Sequence, residues 1–377
     1  MKPIRMVDLK TQYEHTQGEI DRAIRQVLQD TAFINGPQVK DFSRNLGNYL
    51  HAEHVIPCAN GTDALQIALM ALNLQPGDEV ITPDFTFIST VEVVKLLGLH
   101  PVLVDVDDTY YTLRTDQLRE AITSRTRAIV PVHLYGQCAP MQEILQLAKQ
   151  HEVAVVEDAA QSLGAEYKLD GDIKKAGTLG DIGCTSFFPS KNLGCYGDGG
   201  ALFTNNPDLA DEIRTIANHG SHLKYYHSRT GVNSRLDTLQ AAILDVKLKY
   251  LDQYNKARQR AAAYYDRALS GIPQIQTPQV HPRSSHIYHQ YTLKISAEVS
   301  RDDLKRYLKD RGIPSMVYYP VPMHLQQAFN EKERFVEGDF PVSERLSRSV
   351  LSLPMHTELE EEQMHYITQT LKQYFQS

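Results

Sequence analysis

Lys191 stands in Ser186-Phe-Phe-Pro-Ser-Lys191-Asn-Leu-Gly-Cys-Tyr-Gly-Asp-Gly-Gly-Ala201, a run of aromatics, serines and glycines that fits neither a helical nor a strand period. Apolar residues precede the lysine and glycines follow it. Such surroundings strip water from an ammonium group, lower its pKa and free the amine as a nucleophile and base. Upstream, Val153-Ala-Val-Val-Glu-Asp158-Ala-Ala-Gln161-Ser reads as a strand covered on both faces that delivers a carboxylate at its end. A third signal is Asn60-Gly61-Thr62, where a glycine and a hydroxyl open a helical pattern. Unpaired N–H groups at a helix start form an anion site, although the same tripeptide also serves as a simple N-cap.

A loop lysine with a strand-end aspartate suggests pyridoxal 5'-phosphate (PLP), which needs an amine for its aldehyde and a carboxylate for its ring nitrogen. The Gly61/Thr62 helix start would take its phosphate. Glu157-Asp-Ala-Ala-Gln161, the Lys191 loop and Gly231-Val-Asn-Ser-Arg-Leu-Asp-Thr-Leu-Gln-Ala-Ala-Ile243 together resemble the DegT/DnrJ/EryC1/StrS family of sugar aminotransferases over essentially the whole chain. That resemblance implies an α/β, type I aspartate-aminotransferase-like fold and a PLP-dependent transaminase. It also implies roles for single residues. Lys191 holds the cofactor's aldehyde carbon and then shuttles a proton, and Asp158 keeps the pyridine nitrogen protonated; the bland alternative for Asp158 is a helix cap. Gln161 bonds the phenolic oxygen, with capping or solvent exposure as its alternative. Ser186 adds a second hydroxyl for the phosphate, and Phe87 stacks on the ring, with Phe85 a rival for that place. Asn233 reaches the phosphate from the partner subunit, so a homodimer shares its active sites.

On the substrate side, Arg235 is a candidate for a carboxylate or phosphate, with an ion pair to Asp237 as the alternative. Tyr319 and His324 match positions that line the sugar side, whereas Tyr318 stands where the family often has histidine. Lys224-Tyr-Tyr-His-Ser-Arg229 suits a nucleotide diphosphate or is a solvated surface loop. The resemblance further implies L-glutamate as amino donor and a nucleotide-linked keto sugar as acceptor. The nearest look is to enzymes acting on UDP-2-acetamido-2-deoxy-3-oxo-glucuronate for bacterial surface polysaccharide; a dTDP-3-oxo-6-deoxyhexose is the runner-up. Sugar dehydrases of the family replace the lysine with histidine, which speaks against that reaction here. A catalytically silent PLP-binding regulator is the reading from another class.

The elements that must position these residues alternate in type. Short apolar runs at 55–59, 79–83, 102–106, 128–132, 153–157, 183–187 and 200–204 interleave with helical patterns, which implies a mainly parallel sheet between helices. Ligands in such sheets sit beyond the carboxyl ends of the strands. An N-terminal arm of two helices breaks at Asn35-Gly36-Pro37, and one long helix is expected from about 236 to 270. The expected division is an arm and large PLP-binding domain over 1–250 and a small α/β domain over 251–377.

Composition narrows the classes. With 377 residues, 42% hydrophobic and 23% charged, the chain has ample material for a core. A net charge of −7 with no basic block argues against nucleic-acid binding. No apolar run approaches a membrane span, and charges interrupt the first ten residues where a signal peptide needs apolar ones. Cys58, Cys138, Cys184 and Cys195 lack metal or disulfide spacing, so reduced thiols and a cytoplasmic location are expected. His219-x-x-His222 and His286-x-x-His289 carry no accompanying carboxylate pattern, so no metal site is expected. The glycines at 194, 197, 199 and 200 follow the lysine loop rather than a strand-to-helix turn, which argues against a dinucleotide enzyme.

Overall fold

A computed structural model describes residues 2–330 and 334–376. Asp8 caps α1 (Leu9–Asp30) by accepting from the Thr11 N–H at 3.2 Å, and Pro37 opens α2 (Pro37–Leu50) where no donor is needed. Between them the turn is tight. The Gly36 N–H donates to Thr238 Oγ1 at 3.1 Å, and a Cβ there would lie 2.6 Å from the Ala32 carbonyl oxygen.

From β1 (His54–Cys58) helices and strands alternate: α3 (Gly61–Ala71), β2 (Glu79–Pro83), α4 (Ser89–Leu96), β3 (His100–Val104), α5 (Thr115–Ala121), β4 (Thr126–Ile129), α6 (Met141–His151) and β5 (Ala154–Asp158). A hairpin, β6 (Glu166–Leu169) and β7 (Asp172–Lys175), precedes β8 (Ile182–Ser186), β9 (Gly200–Thr204) and α7 (Pro207–Ala217). The seven-stranded sheet runs β1-β9-β8-β5-β4-β2-β3. Its pairs are parallel from β8 to β3, and β9 is antiparallel to both its neighbours. The strands read as unbroken apolar runs because both faces are covered. Val80 and Val156 pack with Ile67 of α3 and Ile213 of α7, while Ile81 and Val155 pack with Ile144 and Leu147 of α6.

Glu157 is wholly buried within β5, yet it is fully engaged. It accepts from the backbone N–H groups of Gly177, Leu179 and Gly180 at 2.9, 2.6 and 2.7 Å, and its Oε2 lies 2.8 Å from His133 Nε2. One carboxylate thus ties the loop before β8 to the turn after β4.

The small hairpin β10 (Ser221–Leu223) and β11 (Tyr226–His227) stands exposed before α8 (Thr238–Leu248) and α9 (Leu251–Leu269). The long helix expected over 236–270 is therefore two helices, with Tyr250 at φ −103°, ψ −3° between them. Each side of the break has its own anchor. Lys247 is buried against the lysine loop, whereas the Tyr250 hydroxyl is drawn to Glu19 of α1. Beyond α9, β12 (Ile275–Gln276), β13 (Tyr291–Ile295), α10 (Arg301–Asp310), α11 (Pro341–Ser349), β14 (Val350–Leu353) and α12 (Glu361–Gln376) build a three-stranded antiparallel sheet and its helices. A separate core of Tyr265, Tyr291, Leu304, Leu308, Leu353 and Ile367 holds this unit together. No helix among the described residues is long and apolar enough to cross a membrane.

Candidate active site

Four loops meet where β2, β4, β5 and β8 end. Asp158 closes β5 with its side chain largely buried. Its Oδ2 accepts from the Thr90 hydroxyl at 2.9 Å and its Oδ1 from the Ala160 N–H at 3.2 Å. Thr90 lies one helical turn from Thr86, whose hydroxyl sits 3.1 Å away, so the start of α4 aims a donor at this carboxylate.

Lys191 is crowded by protein but keeps some exposure to solvent, and its N–H donates to the Phe188 carbonyl at 2.8 Å. Burial lowers its pKa to about 8, with the Asp158 carboxylate pulling the other way. The amine is therefore substantially unprotonated near pH 8, well below the pH at which an exposed lysine reaches that state. Beside it lies His289, which burial and the lysine's own charge keep neutral. His289 Nδ1 meets Asn192 Oδ1 at 3.3 Å, and Asn192 Nδ2 in turn donates to Asn255 Oδ1 at 2.7 Å.

Gln161 sits three residues past Asp158 and bridges two units of the protein. Its Oε1 accepts from the Tyr135 N–H at 2.8 Å, and its Nε2 donates to the Tyr319 hydroxyl at 3.0 Å. Burial raises the Tyr319 hydroxyl pKa, so the phenol stays protonated. The Tyr319 ring stands 6.0 Å from Phe87 and 6.1 Å from Phe85. Exposure separates those two candidates: Phe85 is 1% exposed and belongs to the core, whereas Phe87 is 53% exposed and open to the crevice.

Gly61 starts α3 against the end of β8. A Cβ at Gly61 would fall 2.7 Å from Ser186 Cβ, so only glycine lets the helix start come this close. Asn60 caps the helix from the Asp63 N–H at 2.8 Å, which leaves the first-turn N–H groups of Gly61 and Thr62 without intrahelical acceptors. The Thr62 hydroxyl lies 2.7 Å from that of Ser89, and the Ser186 hydroxyl accepts from the Phe188 N–H at 3.2 Å. The helix start, the Thr62 hydroxyl and the Ser186 hydroxyl are thereby brought close together.

Asn233 and Arg235 are placed elsewhere. Arg235 Nε donates to Asn233 Oδ1 at 3.0 Å on an outer turn, while Ser234 between them turns inward to the Ala59 N–H at 3.0 Å. Arg235 borders a recess with Asn35, Pro57 and Arg214, and among the described residues it makes no ion pair, with Asp237 or any other acid. Lys224 to Arg229 form the exposed hairpin of β10 and β11, where Tyr225 and Tyr226 are open to solvent.

His324 requires a correction. It was expected to line the sugar side, but its ring is completely enclosed. Its Nδ1 and backbone N–H bind the two oxygens of Asp84, each at 2.7 Å, and Glu344 lies 3.3 Å from Nε2. His324 anchors the segment that carries Tyr318 and Tyr319 to Asp84, at the end of β2. Sequence reasoning also missed Thr90, Tyr135, Asn192 and His289. The i, i+4 pairing of Thr86 and Thr90 was a legible signal, while the other three depend on contacts far apart in sequence.

The model of the DegT/DnrJ/EryC1/StrS aminotransferase family matches residues 14–372. The chain belongs to that family. A UDP-2-acetamido-2-deoxy-3-oxo-D-glucuronate aminotransferase of Pseudomonas aeruginosa is 46% identical over 357 residues, covering 95% of this chain and 96% of its own. A protein of Geobacillus stearothermophilus named pleiotropic regulatory protein is 44% identical over 372 residues, 98% of each chain. Among solved structures, S. venezuelae DesV in complex with a ketimine intermediate superposes with a TM-score of 0.95 at 39% identity, over all of both chains.

DegT/DnrJ/EryC1/StrS aminotransferases depend on PLP, and the residues present here fit that cofactor. At the start of α3, where Gly61 packs directly against Ser186, first-turn N–H groups and the hydroxyls of Thr62 and Ser186 are suited to a phosphate. Lys191 offers an amine whose pKa burial lowers to about 8, and Asp158 offers a carboxylate within electrostatic reach of it. Among the described residues no cluster of His, Cys, Asp and Glu suited to a metal ion occurs.

Two outcomes follow from this geometry. The rate at which apo-protein captures PLP should climb with pH through about 8 and then level off, and Lys191→Ala should abolish capture; absorption spectroscopy across pH 6–11 checks both. Thr90→Val leaves one Asp158 oxygen without its donor, at a cost of about 1–3 kcal/mol. It should lower kcat by roughly ten- to a hundredfold with little change in protein yield, as steady-state kinetics would report.

Proposed function

We propose that this aminotransferase moves the amino group of L-glutamate to C3 of UDP-2-acetamido-2-deoxy-3-oxo-glucuronate, in the assembly of bacterial surface polysaccharide. The carrying observation is the Lys191 amine, its pKa lowered by burial within electrostatic reach of Asp158, with the helix start at Gly61 and Thr62 packed against Ser186 of the neighbouring strand end. When bound, PLP supplies an electron sink for the bond broken at the amino acid's α-carbon. This chain's residues do the rest. With the cofactor bound, Asp158, held by Thr90, would keep its ring nitrogen charged, Gln161 would hold its phenolic oxygen and Phe87 would cover its ring face. Lys191 takes the α-proton and returns it, as its lowered pKa permits. Glutamate leaves as its 2-oxo acid, and the sugar's C=O becomes CH–NH2.

Asn233 completes the phosphate site from the partner subunit of a homodimer. Support for that reading is its position: it is exposed on an outer turn, and the residue next to it, Ser234, is the one that faces its own chain's Ala59. Arg235, with no acid paired to it among the described residues, is free to take the substrate's carboxylate. The 46% identity to an aminotransferase on a 3-oxo-glucuronate supports the choice of sugar. A silent PLP-binding regulator would have no use for a proton-accepting lysine, so the enzymatic reading is preferred. Nothing in the site calls for a membrane or nucleic-acid partner, and the substrates are those of the cytoplasm.

The visible absorption of the PLP-loaded enzyme tests the substrate. L-glutamate should bleach it, and UDP-2-acetamido-2-deoxy-3-oxo-glucuronate should restore it. Restoration by a dTDP-3-oxo-6-deoxyhexose alone would discard the sugar and keep the reaction. Arg235→Ala should raise KM for the uronate about tenfold or more while sparing the same sugar nucleotide without its carboxylate. For subunit sharing, Lys191→Ala and Asn233→Ala proteins, each impaired alone, should regain turnover when unfolded together and refolded into mixed dimers. Mixtures that stay as inactive as their parents would count against a shared site.

A further inference from the structure

Lys247 of α8 is 1% exposed and, among the described residues, has no carboxylate in contact. Its ammonium donates to the Gly194 carbonyl and lies 5.3 Å from the centre of the Tyr196 ring. Burying an ammonium without a counterion is costly, and an apolar side chain of similar length would usually be tolerated as well or better. Stability therefore gives no reason for a lysine here.

The position of its partner does give one. Gly194 closes the turn that carries Lys191. A Cβ on Gly194 would lie 2.3 Å from the Pro189 carbonyl oxygen, so the chain folds back tightly on the residues just before the lysine. Inside that loop the Phe187 carbonyl accepts from the Cys195 N–H at 2.8 Å and from its thiol at 3.0 Å. Behind it, α8 grips the backbone again at Tyr196, whose N–H donates to Gln240 Oε1 at 2.8 Å and whose carbonyl accepts from Gln240 Nε2 at 3.2 Å. Gln240 and Lys247 are seven residues apart and so share one face of α8. The same helix accepts the arm turn through Thr238 Oγ1.

We infer that Lys247, with Gln240, is a positioning residue: it clamps the Gly194–Tyr196 backbone from behind so that Lys191 stays at the depth its chemistry requires. This rests on the assignment of Lys191 as the reacting amine. A proton carrier displaced by about an ångström can lose a hundredfold in rate, which sets the scale expected.

Lys247→Met is the decisive variant, compared with the parent as PLP-loaded enzyme. Its melting temperature should be unchanged or higher, and its KM for L-glutamate nearly so, while the rate of glutamate-driven bleaching falls about ten- to a hundredfold. An unchanged bleaching rate would overturn the inference. So would a lowered melting temperature with a proportionate loss of bound PLP, which is the signature of ordinary structural damage. Gln240→Met removes both side-chain bonds to the Tyr196 backbone and serves should the first variant not fold; it should slow bleaching in the same direction, and wild-type kinetics in it would also refute the clamp. If Lys191→Ala were to retain transamination, the functional reading itself would fall, which separates the two failures.

Discussion

Lys191 and Asp158 impose opposite demands on one crevice. The lysine must shed its proton near neutrality, which calls for burial, while the carboxylate must stay charged, which calls for donors and favours a charged lysine. The structure meets both by giving each group its own surroundings. Thr90 and the Ala160 N–H serve the carboxylate at the end of β5. The lysine is left mainly to the desolvating surface of its loop and a neutral imidazole, whose effect outweighs the pull of the Asp158 carboxylate. Parallel strands make this separation possible, because each delivers a different loop to the same edge of the sheet.

Close approach of main chain is the second recurring device. Gly61 against Ser186 and Gly36 under Thr238 are both places where a Cβ would collide with a neighbour. At Gly61 the contact brings helix dipole and hydroxyl together, and at Gly36 it fixes the arm to α8. Tight backbone contact thus does for the anion recess what Thr90 does for the carboxylate: it sets position without adding charge.

How much of this the sequence disclosed depended on distance along the chain. Asp158, Gln161 and Lys191 were legible because strand, turn and loop chemistry lie within a few residues of each. Phe87 could be separated from Phe85 only when their exposures were known. His324 was misjudged for a related reason, since proximity in sequence to Tyr319 does not say which side of the backbone faces the crevice. The break between α8 and α9 was invisible because an unbroken apolar period crosses it; on its two sides Lys247 reaches Gly194 and Tyr250 reaches Glu19, contacts spanning many residues. Tyr135 and His289 arrive from further still.

Charge buried away from solvent follows a pattern that explains what such groups are for. Arg258 gives one guanidinium nitrogen to the carbonyls of Tyr288, His289 and Met355, and Lys247 binds the carbonyl of Gly194. Glu157 answers three N–H groups of a loop, and Asp84 holds the backbone and ring of His324. Among the described residues Arg258 and Lys247 meet backbone dipoles rather than counterions, whereas Glu157 and Asp84 each add a histidine ring nitrogen to their backbone donors. Ion pairs chosen for stability would be interchangeable with apolar packing. A charge directed at one carbonyl or one loop has a direction that packing lacks: Lys247 holds the Lys191 loop at Gly194, and Arg258 holds the carbonyl of His289, which lies beside Lys191. The apolar cores make the fold stable, and these two buried cations fix backbone next to its reacting lysine.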